Sequence, residues 1–447
     1  MDDSGKAGTP FEMINPRLQG LADYPFARYR ALIDRLEPPP GLAPIALTLG
    51  EPQHAAPAMV AEVLAANAAD WNRYPPLNGT PEFRAACVDW LTRRYGLPSG
   101  TVDPDACILP VSGTREALFL APLLAVDGRP AAGPPPAVIL PNPFYAPYEG
   151  GAVMAGAEPV FADCTAETGF LPDLDALEAD GALMARTALM YLCTPSNPQG
   201  AVADRAYLTR AIALARRHGW VLVVDECYGE IYDAEPPPGV LEVAAALDGG
   251  ALDNLLVFHS LSKRSNAAGL RAGFVAGDPT LIAAFDRLRR YAGAGMPRPV
   301  MAAAAALWAD DAHVAENRAR YRAKFDAAEA ALAGRMAMRR PPAGFFLWLD
   351  VSALAPHAPD PGEAVARRLW AEAAVRALPG AYLTHAGADG VNRGAAYLRL
   401  ALVHEPEVIA EALARLADLA GSDGVESDGA AAGGAPAGAA RVMEDGR

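Results

Sequence analysis

The chain has 447 residues. One hydrophobic core rarely grows past roughly 250–300 residues, so two lobes are expected. Hydrophobic residues make up 52% and charged residues 20%, which excludes global disorder. The formal charge of −15 argues against a partner held by the overall field, whether nucleic acid or an anionic membrane.

Residue usage narrows the chemistry further. Only three lysines occur, Lys6, Lys263 and Lys324, so any reaction needing an amine has three candidates. The five cysteines are scattered and form no CxxC pair. That suits a reducing compartment, with each thiol read as a small buried hydrophobe. The seven histidines show no HExxH-type spacing, so no metal site is expected. The first ten residues lack the basic-then-apolar pattern of a secretory leader. No run of 18 apolar residues appears. A cytoplasmic protein is the expectation.

In chain order, residues 1–55 contain the loop PPPGLAP (38–44). They are too few and too proline-rich for a core of their own, and are expected to pack with the smaller lobe. Residues 56–304 read as the large lobe. CILPV (107–111) predicts a strand, followed by Ser112, Gly113 and Thr114 opening a helix. After the loop GRPAAGPPPA (128–137) come the apolar runs AVILPNPFY (137–145), TALMYLCTPSNP (187–198), WVLVVDECY (220–228) and NLLVFHSLSK (254–263). Helical patterns separate them, such as DRAYLTRAIALARRHG (204–219). Short continuous apolar strands alternating with helices predict an α/β fold with a mostly parallel sheet covered on both faces. Ligands of such sheets sit beyond the carboxyl ends of the strands. Residues 305–420 predict a smaller α+β lobe, with AGFFLWLDV (343–351) and AAYLRLALV (395–403) as strands. Residues 421–447 are rich in Gly, Ala and Asp and read as a disordered tail.

The polar residues at the strand ends carry the chemistry. Lys263 follows the run LLVF, where desolvation would lower its proton affinity and make it nucleophilic toward a carbonyl. A surface lysine is the plain alternative. Asp225 and Tyr228 end WVLVVDECY. A carboxylate there is costly unless a cation, such as a protonated pyridine, faces it; a helix cap is the plain alternative. Asn197 in TPSNPQG could donate to a phenolate or simply make a turn. Ser112, Gly113 and Thr114 at a helix start suit a phosphate or ordinary capping. Ser260 and Arg271 could complete a phosphate cup. Tyr145 could stack on a flat ring or pack in the core. Arg399 lies in an apolar strand and needs an anion, from a substrate carboxylate or an internal acid. Together these parts match pyridoxal 5′-phosphate.

Eight motifs stand in a familiar order: GEP (50–52), YPPLNGTPEFRAA (74–86), SGTREAL (112–118), NPFYAPYEG (142–150), SNPQG (196–200), DECY (225–228), SLSKRSNAAGLRAG (260–273) and YLRLAL (397–402). On these, residues 13–420 resemble the class I/II aminotransferases. The wording of NPRLQGLADYPFARYRAL (15–32), GEPQHAAP (50–57), DECYGEIY (225–232) and GVNRGAAYLRLALV (390–403) is most similar to the proteobacterial succinyldiaminopimelate aminotransferases. The resemblance implies PLP-dependent transferase fold type I, with a seven-stranded, mostly parallel sheet between helices and a smaller α+β domain.

The resemblance also implies roles. Lys263 joins the cofactor aldehyde and later moves the proton. Asp225 keeps the pyridine nitrogen protonated, and Asn197 and Tyr228 bond the ring oxygen. Tyr145 stacks on the ring. Ser112, Gly113, Thr114, Ser260 and Arg271 hold the phosphate. Arg399, with the Gly50 backbone and Asn197, binds the substrate α-carboxylate. Tyr74 reaches across a homodimer interface to the partner's phosphate. The implied substrates are small amino and 2-oxo acids. A long donor such as succinyldiaminopimelate needs a second anion site, for which Arg17, Arg28 and Arg298 are candidates. An aminotransferase for an aromatic, aspartate-like or acetylornithine-like substrate is the nearest alternative. A PLP-binding regulator and a non-catalytic homologue are further ones.

Overall fold

A computed structural model describes residues 14–127 and 133–422. The first thirteen residues, part of the 128–137 loop and all but the start of the expected tail lie outside the described residues. Seven strands form the central sheet: β1 (Ile108–Val111), β2 (Ala137–Asn142), β3 (Glu158–Asp163), β4 (Thr187–Cys193), β5 (Val221–Asp225), β6 (Leu255–Ser260) and β7 (Gly273–Gly277). Their order is β1-β7-β6-β5-β4-β2-β3. β7 alone runs against the rest. Between β6 and β7 the chain forms only two single helical turns, so no crossover helix carries it back to the start of the sheet. It reverses directly, and Lys263 lies in that reversal.

The helices that matter here are α1 (Pro25–Ile33), α2 (Pro81–Tyr95), α3 (Thr114–Leu120), α4 (Ala146–Ala155), α5 (Arg205–His218), α6 (Arg298–Ala309), α7 (Ala312–Leu332), α8 (Pro361–Ala373) and α9 (Pro406–Ser422). α5 starts where Asp204 accepts from the Tyr207 N–H at 2.7 Å. Losing such a cap costs about 1 kcal/mol.

The sheet is apolar on both faces, which explains the continuous apolar runs of the sequence. Along β5, Leu222 and Val224 join a core with Trp90 of α2, Ile212 of α5 and Trp308 of α6. Val221 and Val223 face the opposite core, with Leu118 of α3 and Tyr148 of α4. Each such aliphatic side chain contributes about 1.5–3 kcal/mol when fully buried. A third core gathers α7, α8 and α9 around the antiparallel strands β8 (Phe346–Asp350), β9 (Leu378–Pro379) and β10 (Tyr397–Ala401). Tyr29, Ile33, Ile45 and Leu47 pack into it from the N-terminal segment. Among the described residues, no helix is long and apolar enough to cross a membrane.

Candidate active site

Strand alternation aims the acids at the end of β5. Asp225 continues the parity of Val221 and Val223, toward the α4 side. Its Oδ2 accepts from the Tyr148 hydroxyl at 2.7 Å and its Oδ1 from the Cys227 N–H at 3.1 Å. Tyr148 is fixed in turn by stacking on Tyr191, with ring centres 4.2 Å apart and planes 8° apart. Asp225 is 6% exposed. Burial raises its proton affinity, and the bonds from Cys227 and Tyr148 act against that rise. No described cation pairs with it. Glu226 points the other way, where Tyr95 and the Val240 N–H donate to it, and burial pushes it up to about 7.

Asp225 borders a cavity of about 460 Å³ at the carboxyl ends of the strands. Lys263 faces the same space from the helical turn after β6. Ser260 caps that turn, accepting from the Ser262 N–H at 3.1 Å. The Lys263 ammonium donates to the Gly50 carbonyl. Desolvation pulls Lys263 down to about 8, with Glu51 opposing and Arg399 and Arg271 assisting. Gly50 has no room for a side chain, because an added Cβ would lie 2.5 Å from the Phe346 ring.

Arg399 enters the cavity from β10 and is 5% exposed. Its Nη2 donates to the Thr48 carbonyl at 2.7 Å and its Nη1 to Asn197 Oδ1 at 3.4 Å. Its Nε is buried with no partner. Phe346 and Phe26 flank the guanidinium, with ring centres 4.6 and 6.0 Å away. Burial pulls it down to about 10. Among the described residues no acid neutralises it, so the internal ion pair left open by the sequence is not found there.

Arg271 lines the same cavity. Its backbone is left-handed, φ 54°, a conformation that costs a non-glycine residue about 1–3 kcal/mol. Gly113, at φ 82°, makes way for it: a Cβ there would fall 1.8 Å from Arg271 Nη2. Thr114 Oγ1 lies 3.3 Å from Cys227 Sγ. The Tyr145 hydroxyl accepts from Arg115 at 2.8 Å.

Of the residues singled out from sequence, Gly50, Thr114, Tyr145, Asn197, Asp225, Tyr228, Ser260, Lys263, Arg271 and Arg399 all line this cavity. Gly113 stands behind Arg271. Ser112 lines an adjoining cavity instead, and its hydroxyl donates to Ala294 O at 3.0 Å. Tyr74 is not brought to the site within this chain; it is 98% exposed.

Residues 44–416 match the family described as aminotransferase class I and II. The chain belongs to that family. It is 37% identical over 379 residues to the 4-dedimethylamino-4-oxo-anhydrotetracycline transaminase OxyQ of Streptomyces rimosus, covering 85% of this chain and 94% of that one. It is 34% identical over 346 residues to an LL-diaminopimelate aminotransferase of Desulforudis audaxviator, covering 75% and 83%. A crystal structure of an aminotransferase from Neisseria meningitidis superposes with a TM-score of 0.84 at 39% identity, covering 91% and 100%.

Class I/II aminotransferases depend on pyridoxal 5′-phosphate, and this site fits it. A buried carboxylate without a cation suits a protonated ring nitrogen. A half-desolvated amine suits the aldehyde. The glycine gap at 113 lets Arg271 lie against backbone, beside Thr114 and Ser260, as a phosphate cup requires. The partnerless Nε of Arg399 suits a carboxylate of the substrate.

Sequence reading missed Tyr148, Arg115 and Phe346. Tyr148 was findable, since it follows Tyr145 by three residues at the head of α4 and so shares its face. Phe346 gave no signal, because FFLW is apolar throughout.

Proposed function

We propose that this aminotransferase moves the amino group of N-succinyl-LL-2,6-diaminopimelate to 2-oxoglutarate, giving N-succinyl-2-amino-6-oxopimelate and glutamate, in lysine and diaminopimelate biosynthesis. The observation that carries the amino-transfer part is the pair facing one cavity: an amine held at about 8 and a buried carboxylate with no cation of its own. Bound there, pyridoxal 5′-phosphate supplies an aldehyde and a protonated ring that draws electrons from the substrate's α-carbon.

The chain's own residues do the rest. Lys263 is the amine that would join the cofactor's aldehyde and give way to the substrate amine. It is then free to take the α-proton on Nζ, with a proton affinity near the working pH. Asp225, anchored by Tyr148 and Cys227, holds the ring nitrogen's proton. Asn197 and Tyr228 would bond the ring oxygen, and Tyr145 would cover the ring face. Thr114, Ser260 and Arg271 would hold the phosphate, with the Gly113 backbone beside them and Ser112 joining only by giving up its bond to Ala294 O. Arg399 grips the α-carboxylate beside Gly50 and Asn197. Donor and acceptor would use the same clamp in turn, and two half-reactions with the amino group kept on the enzyme between them require ping-pong kinetics. Tyr74, exposed on this chain, reaches the partner's phosphate in a cytoplasmic homodimer.

The succinylated substrate is supported by the sequence wording above and by the diaminopimelate skeleton in a relative's name. A second reading, a bulkier oxo acceptor, is favoured by the identity to OxyQ. A donor panel with 2-oxoglutarate decides. The expected order of kcat/KM is N-succinyl-LL-diaminopimelate above LL-diaminopimelate, N-acetylornithine and aspartate, by roughly tenfold or more. Another donor leading the panel overturns the substrate assignment.

A further inference from the structure

A second cavity, about 760 Å³, adjoins the first and shares Tyr24, Arg115, Phe144 and Tyr382 with it. The roles above use only its Ser112 and Arg271 wall and leave the part around Arg28 and Tyr382 unassigned. Of the three arginines considered for a second anion site, only Arg28 lines it. Arg17 is spent on the Met154 carbonyl at 3.1 Å, and Arg298 donates to the Tyr74 carbonyl at 3.4 Å. Arg28 projects from α1 over the Tyr382 ring, 4.0 Å from its centre. Asp360 and Glu363 stand in its field, but neither pairs with it; Glu363 accepts from the Tyr382 hydroxyl at 2.9 Å. Of the acids that line the cavity, Asp23, Glu116 and Glu149, none pairs with Arg28, and Glu149 is taken by His385 at 3.0 Å. The cavity thus offers a cation with no ion-pair partner among the described residues, apolar walls at Leu21, Phe119 and Phe144, and walls shared with the reacting centre.

We propose that this second cavity holds the far end of the amino donor, and that Arg28 pairs with the terminal carboxylate of its N-acyl arm. The chemical class is a long amino dicarboxylate carrying an acidic N-acyl group. The inference rests on the substrate reading above. The geometry is consistent with it: Arg399 fixes one end of the donor beside Lys263, and the arm runs past Tyr24 and Arg115 along apolar wall to Arg28. A guanidinium stacked on an aromatic ring is pre-oriented for a carboxylate.

Two measurements on the cofactor-loaded enzyme test this. The first is the ratio of kcat/KM for the N-succinyl donor to that for glutamate, in wild type, Arg28→Gln and Arg28→Lys. The ratio is expected to fall roughly tenfold or more in Arg28→Gln and to recover in part in Arg28→Lys. The second is calorimetric binding of 2-(succinylamino)heptanedioate, which lacks the reacting amine, against plain heptanedioate. Arg28→Gln is expected to weaken the first ligand by roughly tenfold and to move the second by no more than about twofold. A ratio and a dead-end affinity both within about twofold of wild type overturn the proposal. If wild type fails to turn over the succinyl donor, the substrate reading falls, while the calorimetry still decides whether Arg28 binds the acidic arm.

Discussion

Lys263, in the turn after β6, and Lys324, on α7, share one electrostatic fate. Burial pulls each of them down to about 8. Lys324 is fully enclosed on α7, donating to the Val403 carbonyl at 2.8 Å with the Tyr321 ring 4.6 Å away. It lines neither cavity. Lys263 opens on the cavity that Asp225 and Arg399 also face. A weakened proton affinity is therefore not what makes an amine reactive here. Access does, together with a carboxylate placed to hold an electron-withdrawing ring and an arginine placed to hold the substrate.

The sharpest way to break the comparison is to exchange the two amines for inert side chains. Lys263→Ala should lower kcat by at least about 10²–10⁴-fold, the range a positioned proton-transfer group supplies. Lys324→Met should leave kcat within about threefold, since it touches no reacting atom. Borohydride reduction followed by peptide mapping gives an independent readout: the label belongs on Lys263, with none on Lys6 or Lys324. Label on Lys324 would mean that enclosure does not separate the two.

Arg399 sharpens the same contrast from the substrate side. It is buried as deeply as a core residue, yet its Nε has no partner and no acid pairs with it among the described residues. Removing it should weaken every ligand that carries an α-carboxylate. Arg399→Ala should raise KM for donor and acceptor alike, each by roughly 10–100-fold, the worth of a charge-assisted bond of about 1.5–3 kcal/mol. Steady-state kinetics with each substrate varied in turn checks this. A rise confined to one substrate would show that the two half-reactions use different clamps.

Much of this was legible in the sequence, because the fold writes its rim in polar residues. Four apolar runs ended in Tyr145, Asn197, Asp225 and Lys263, and all four side chains meet at one cavity. Period-two alternation placed Asp225 and Glu226 on opposite faces, as Tyr148 and Tyr95 now mark. β3 and β7 were harder to see. β7 reads GFVAG, with glycines at both ends, and β3 carries an exposed acid and a proline in EPVFAD, so neither shows the apolar run of a central strand. Ser112 was grouped with the phosphate residues as a hydroxyl in a small-residue turn that opens a helix. A sharp turn at Gly113 swings its hydroxyl to Ala294. Arg28 and Arg115 could not be ranked from sequence, because their value depends on which loops close around them.

The smallest effect falls on stability and bears on Lys324 alone. Its folded proton affinity, about 8, lies below the ordinary 10.5, so between those values the unfolded chain binds more protons than the folded one. Stability must then rise with pH across that window, and the strain of enclosing a charge is full below it. Comparing wild type with Lys324→Met isolates this contribution, because groups that titrate alike in both proteins cancel. The difference in unfolding free energy, wild type minus variant, should climb by at most about 1.4 kcal/mol per pH unit from about 8 upward. Chemical denaturation in buffers spanning that window measures it. A flat difference would mean that Lys324 keeps an ordinary affinity despite its enclosure. The depressed amine would then be peculiar to the cavity at Lys263, and proton affinity would regain the discriminating role that access holds above.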